Sequence, residues 1–217
     1  MPALITSWGL DLADLAPDAP SDTVELVGTD LLRRWDEPQR CYHTTTHLVE
    51  MFWALEELET AGELDARDAS LARVAAWFHD AVYEPTAAPG DNEAASAELA
   101  ATTLPALSVE PQDCAAVVRL VHLSIQHESP ARTGLDAAFQ DADLWILGAP
   151  PDRFDAYCRE VRQEYAHVPD EAYRRGRVGV LSPLVQRESV YCTEHARQRW
   201  QPAARANLAR EIARLRG

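Results

Sequence analysis

Lysine is absent from this 217-residue chain: all 20 basic residues are arginine, and they face 35 acidic residues, for a net charge of −15. Non-specific affinity for nucleic-acid polymers and anionic membranes comes largely from cationic contacts with phosphates, so this surface repels both on average. Net charge constrains surfaces rather than sites, because a bound metal or a few buried arginines reverse the sign within one pocket. The four cysteines, Cys41, Cys114, Cys158 and Cys192, are scattered with no CxxC pair and no zinc-ribbon spacing, which leaves them as small core residues. No apolar run approaches the roughly 18 to 20 residues that span a bilayer. The N-terminus lacks a basic region and carries Asp11, Asp14 and Asp18, the wrong pattern for a secretory signal, so a cytoplasmic setting is expected. Sustained alternation of β-branched and aromatic residues is missing, and the 9 glycines rarely form hairpin dipeptides. GxSxG, Walker, GxGxxG and HExxH motifs are absent too, which removes the loops that serine hydrolases, P-loop enzymes, Rossmann enzymes and zincins need.

What is present is helical period. Leu26, Val27, Leu31, Leu32 and Trp35 predict a core helix over 21–35, with Ser21 or Asp22 as its cap. Leu48, Met51, Phe52, Leu55 and Leu58 predict a second over 44–61, and Leu71, Val74, Ala75, Phe78 and Val82 a third over 65–82. Asp91 is a good N-cap for the Ala-rich helix that follows a Pro/Gly loop, and 103–110 reads as a connection. Further helices are expected over 111–127, 135–147, 152–166, 170–186 and 193–216, with Pro183 and Pro202 breaking or kinking the last two. Trp53, Trp77, Trp145 and Trp200 lie within these helices and are expected to pack. The expectation is one all-α domain: an N-terminal extension over 1–20, a motif core over 31–150 and C-terminal helices over 151–217. At this length a core burying about 70% of the unfolded surface needs no staples.

Several chemistry-bearing residues stand where packing does not need them. His43 and His47 are four apart; either both lie on one helix face or His43 sits just before the helix. His79 and Asp80 are consecutive, about 100° apart on a helix, so both can approach one ion from its flank. Asp141 and Asp143 follow in QDADLWILG. Imidazole with carboxylate is the mixed donor set that divalent Mn, Fe, Co, Ni or Zn accept.

The ordered set His47, His79 with Asp80, then Asp143 resembles the H…HD…D signature of the HD-domain superfamily of metal-dependent phosphohydrolases. The stretches RCYHTTTHL, AAWFHDAVYEP, GDNEAASAELA and DADLWILG, with EVRQEY and YRRGR later, are similar to the bacterial subgroup of predicted HD phosphohydrolases, from about residue 31 to the C-terminal helix. The resemblance implies an HD-type helical bundle in which His47, His79, Asp80 and Asp143 hold one divalent transition metal ion (Mn, Co, Ni, Fe or Zn, with Mg also admitted). It further implies hydrolysis of a small phosphate ester, nucleotides included, by metal-activated water. YHxxxH is also similar to the motif of cyclic-nucleotide phosphodiesterases, whose first His protonates the leaving oxygen, which implies His43 as general acid. Thr44 departs from that pattern, standing where Asn usually follows the first His.

Asp91, Glu93 and Glu84 are the candidate bases on water, although Asp91 equally suits a helix cap and Glu84 an exposed loop. Arg40, Arg162 and Arg177 recur in segments like the family's and offer the planar donor fork that suits phosphate; Arg162 with Glu164 also fits a helix-surface charge pattern. His127 is a candidate for phosphate or water, and His122, about 140° from it on a helix, for a structural role. That spacing argues against a second ion. The alternatives are an HD-type diiron oxygenase and a non-catalytic metal-stabilised regulatory module. The expected partner is a small phosphorylated substrate, with no nucleic-acid polymer and no membrane, for a monomer or a homodimer.

Overall fold

The computed structural model of the chain describes residues 2–125 and 133–217, and among them there is no strand. Eleven helices follow in order: α1 (Pro2–Ala13), α2 (Ser21–Trp35), α3 (Thr45–Thr60), α4 (Ala66–His79), α5 (Asp91–Ala106), α6 (Pro111–Leu123), α7 (Leu135–Asp143), α8 (Pro151–Glu164), α9 (Asp170–Gln186), α10 (Glu194–Arg199) and α11 (Gln201–Arg216). A 3-10 segment, Leu144–Gly148, continues α7. The fold is an all-α bundle, as the periodicity predicts, and no described helix is long and apolar enough to cross a membrane.

α4 is the axle of the bundle. Every residue from Ala69 to His79 is buried except Arg73, and α1, α3, α5, α6 and α7 all pack against it. Small residues at Ala69, Ala72, Ala75 and Ala76 let these neighbours approach, while Trp77 and Phe78 fill the space between them. Asp65 caps its start by accepting from the backbone N–H of Asp68 at 2.8 Å.

The N-terminal segment, expected as an extension, is instead a core helix. Trp8 of α1 is fully buried, meets Trp77 edge-on at 5.6 Å and donates its indole N–H to the Val24 carbonyl at 2.8 Å. Gly28 of α2 makes room for that indole: a Cβ there would sit 2.5 Å from the Trp8 ring. Asp11 of α1 accepts from the guanidinium of Arg73 at 2.6 Å, tying α1 to the one partly exposed position of the α4 run.

Other boundaries shift for local reasons. α2 begins after Pro20 with no side-chain cap, so neither Ser21 nor Asp22 serves as one. Gly90, at φ 88°, is the N-cap of α5, and Asp91 is its first helical residue. α5 runs on through Pro105 to Ala106, into the expected connection. The expected helix over 193–216 is two, divided at Trp200, with Pro202 inside the first turn of α11 where its missing N–H costs nothing. α9 continues three residues past Pro183. Of the tryptophans, Trp77 and Trp200 are buried, whereas Trp53 is 60% exposed. No disulfide joins the four cysteines; Cys114 and Cys158 are buried, and Cys41 and Cys192 are partly exposed.

Candidate metal centre

Three helix ends meet at one point. Thr44 caps α3, its hydroxyl accepting from the Thr46 N–H at 3.2 Å, so His43 sits just before the helix and His47 in its first turn. His79 is the last residue of α4 and Asp143 the last of α7. α4 is expected to reach Val82; it stops at His79, and Arg40 takes up the carbonyls that follow, donating to those of Asp80 at 2.8 Å and Ala81 at 3.2 Å. A buried helix end needs such partners.

His47, His79, Asp80 and Asp143 come together there. The Nε2 atoms of His47 and His79 face each other at 3.2 Å. Asp80 Oδ2 lies 3.0 Å from His79 Nε2 and 3.8 Å from His47 Nε2, and Asp143 Oδ1 lies 3.3 and 3.5 Å from His47 and His79. Donors at about 2.1 Å from a common ion stand about 3.0 to 3.4 Å apart in octahedral or tetrahedral arrangement; three of these separations fall in that range, and the other two are 3.5 and 3.8 Å. The remote nitrogens are committed elsewhere: Nδ1 of His79 donates to the Ala76 carbonyl at 2.9 Å, and Nδ1 of His47 shares a hydrogen bond with the Tyr42 hydroxyl at 3.0 Å. Each imidazole is thus held from behind with its Nε2 facing the centre, the orientation that metal ligation requires. His47, His79 and Asp80 could hold a metal ion, and no other such group occurs among the described residues.

Electrostatics point the same way. Burial would lower the His79 pKa, but the Asp80 and Asp143 carboxylates outweigh it and hold the ring well above its ordinary value. Burial likewise opposes the charge on Asp80, yet His79 pulls its pKa below the ordinary value. Positive charge is favoured at this point, whether it arrives as protons or as a cation. Trp35, 5.6 Å from His79 between ring centres, and Phe139, 6.2 Å away, wall the centre with apolar surface.

Beside the centre stands His43, its ring 6.0 Å from that of His47. Its Nδ1 lies 2.7 Å from Oε2 of Glu164, the last residue of α8. Glu164 is buried, and its Oε1 accepts the backbone N–H groups of Cys41, Tyr42 and His43 at 2.8, 2.8 and 2.9 Å; its Oε2 also takes the Tyr83 hydroxyl at 2.9 Å. Tyr83 stacks on the His43 ring at 4.2 Å. Burial would raise the Glu164 pKa, but His43 and the backbone donors bring it down to about 2. Burial lowers the His43 pKa less than Glu164 and Asp80 raise it, so it ends above its ordinary value. Glu164, expected on the helix surface, is the residue the sequence reading missed, 121 positions from His43.

The expected phosphate-binding arginines are engaged elsewhere. Arg40 is buried, and its five N–H groups go to the carbonyls of His43, Asp80 and Ala81 and to Glu37 Oε2, which leaves no donor for phosphate. Arg162 closes the end of α8, donating to the carbonyls of Tyr165 and Val168 and to Asp170. Arg177 donates to the Tyr157 hydroxyl and sits 5.0 Å over that ring. Tyr157 in turn packs edge-on against Tyr42, at 4.6 Å between centres, so Arg177 reaches the centre only through two rings.

Of the candidate bases, Glu84 is exposed and accepts from the N–H and hydroxyl of Thr86, forming a local turn. Asp91 is exposed at the start of α5, and among the described residues no hydrogen bond or ion pair joins it or Glu93 to the four clustered residues. Asp141 is structural: it accepts from the N–H groups of Cys192 and Thr193 at 2.7 Å each and from the Thr193 hydroxyl at 2.8 Å, fixing the start of α10. His122 is exposed, and His127 lies outside the described residues. Compared with protein families, with curated proteins and with solved structures, the chain matches none.

Proposed function

We propose that this chain is a metal-dependent phosphohydrolase of the HD type that cleaves a small phosphate ester. The observation that carries the reading is the convergence of two imidazole nitrogens and two carboxylate oxygens within 3.0 to 3.8 Å of neighbouring donors, each imidazole braced from behind. Nitrogen donors favour a divalent transition ion over Mg. When bound, such an ion supplies Lewis-acid polarisation of a phosphoryl oxygen and lowers the pKa of water. His47, His79, Asp80 and Asp143 are the residues that would hold it, and two carboxylates against two neutral imidazoles leave a divalent ion formally neutralised. Trp35 and Phe139 exclude bulk water from one side of the reacting phosphate. His43, partly exposed beside the centre, carries the proton for the departing oxygen.

Metal-stripped protein reloaded with Mn, Co, Ni or Zn should bind about one ion per chain, measured by calorimetry, and release phosphate from members of a nucleotide and sugar-phosphate panel. Asp80→Ala should lose both. Stoichiometric binding with no phosphate release from any ester would remove the hydrolase reading in favour of a binding module. Two irons per chain after aerobic purification would favour oxygen chemistry.

A further inference from the structure

His43 is held more firmly than a surface histidine beside a metal centre needs to be. Glu164 has taken five hydrogen bonds from two separate segments, the 41–43 loop and Tyr83, so no free direction remains on it for a water molecule. It is a brace and not a base. Its Oε2 fixes the imidazole by Nδ1, and the Tyr83 ring, stacked at 29° to the imidazole plane, fixes the rotation about the side chain. Tyr83 is itself set by its hydroxyl on Glu164 and by the Arg40 guanidinium 5.4 Å from its ring. With Nδ1–H committed, Nε2 is the nitrogen free to exchange a proton; it has no hydrogen bond among the described residues, and 21% of the side chain is open to solvent.

From this geometry, and resting on the hydrolase reading above, we infer that Glu164 and Tyr83 are positioning residues that present His43 Nε2–H to a leaving oxygen, and that the substrate is an ester of an aliphatic or sugar hydroxyl rather than a phosphoanhydride. A departing alkoxide is strongly basic and cannot leave without a proton, whereas a departing phosphate or nitrophenolate can. General acid catalysis contributes about 10² to 10⁴-fold where the leaving group needs it and little where it does not. In the step, the oxygen of water bonds to phosphorus as the ester P–O bond breaks. The bonding pair leaves with the ester oxygen, which takes the Nε2 proton, and a proton released from water restores the imidazole. The brace does for His43 what the third member of a catalytic triad does for its histidine: it sets tautomer and direction.

The test compares p-nitrophenyl phosphate with the best-hydrolysed sugar phosphate or nucleoside monophosphate, using the full chain reloaded with metal. Glu164→Gln and His43→Gln should each lose about 10²-fold in kcat on the alkyl ester, and at least about tenfold less on the nitrophenyl ester. Tyr83→Phe keeps the stack and loses only the hydroxyl, so it guards against a folding defect in Glu164→Gln; it should show the same selectivity at smaller size. Metal stoichiometry should be the same in all three variants. Equal losses on the two esters, or a parent protein that hydrolyses anhydrides and aryl esters but no alkyl ester, would overturn this inference and leave the hydrolase reading standing. No metal-dependent hydrolysis of any ester by the parent protein would overturn both.

Discussion

Glu164 and Asp141 are both buried carboxylates that accept backbone N–H groups from a distant part of the chain, yet their pKa values lie on opposite sides of the ordinary range. Burial raises both. For Asp141 it prevails over the donors from Thr193 and Cys192, and the pKa is pushed up to about 6. For Glu164, a comparable set of backbone donors is joined by His43, and the pKa falls to about 2. Neutral hydrogen bonds satisfy a carboxylate; a cationic neighbour is what keeps it charged when water is removed. The first arrangement serves to tie helices together, while the second stores a charge beside the His47–His79 cluster.

The sharpest way to break the comparison is to remove one member. Glu164→Ala strands three N–H groups and an imidazole in the interior and should cost about 3 to 5 kcal/mol in urea-induced unfolding. Next in size is acid unfolding. Because Glu164 has a lower pKa folded than its ordinary 4.5, its stabilisation is complete above pH 4.5 and is lost as pH falls toward about 2, about 3 kcal/mol in all. Glu164→Gln should flatten that part of the pH–stability curve.

Asp141 has the opposite sign. Its folded pKa lies above the ordinary 3.8, so its contribution is complete below pH 3.8 and is lost as pH rises through about 6. The parent protein should gain in melting temperature between pH 7 and pH 5, and Asp141→Asn should remove that gain at a cost of about 1 to 2 kcal/mol from the acceptor it lacks. The smallest effect belongs to a third carboxylate: Glu84→Ala should leave both the melting temperature and metal stoichiometry unchanged, because its bonds with Thr86 lie at the surface.

What could be read from the chain alone follows the range of the forces involved. Helical stripes over Leu48 to Leu58 and Leu71 to Phe78 are short-range patterns, and both appear as buried faces of α3 and α4. The grouping of His47, His79, Asp80 and Asp143 was suggested by ordered spacing, and the fold brings their donors together. Glu164 and Arg40 were misread for one shared reason. Each is a charged residue whose partners are backbone atoms of other segments, and a backbone carbonyl or N–H has no letter in the sequence. α1 was overlooked because Trp8 becomes a core residue only through the hollow that Gly28 leaves on another helix.

The helix that ends at His79 and the one that begins at Thr45 have a directional consequence. Each aligned peptide column carries roughly half an elementary charge of negative sign at its last turn. α3 opposes α4 with the positive end of its own column near His47, so these two ends offset each other. The Asp80 and Asp143 carboxylates therefore set the sign of the field here, which favours a cation over an anion. On the hydrolase reading proposed above, an ion would enter first, and the anion would follow into a field that the ion has inverted.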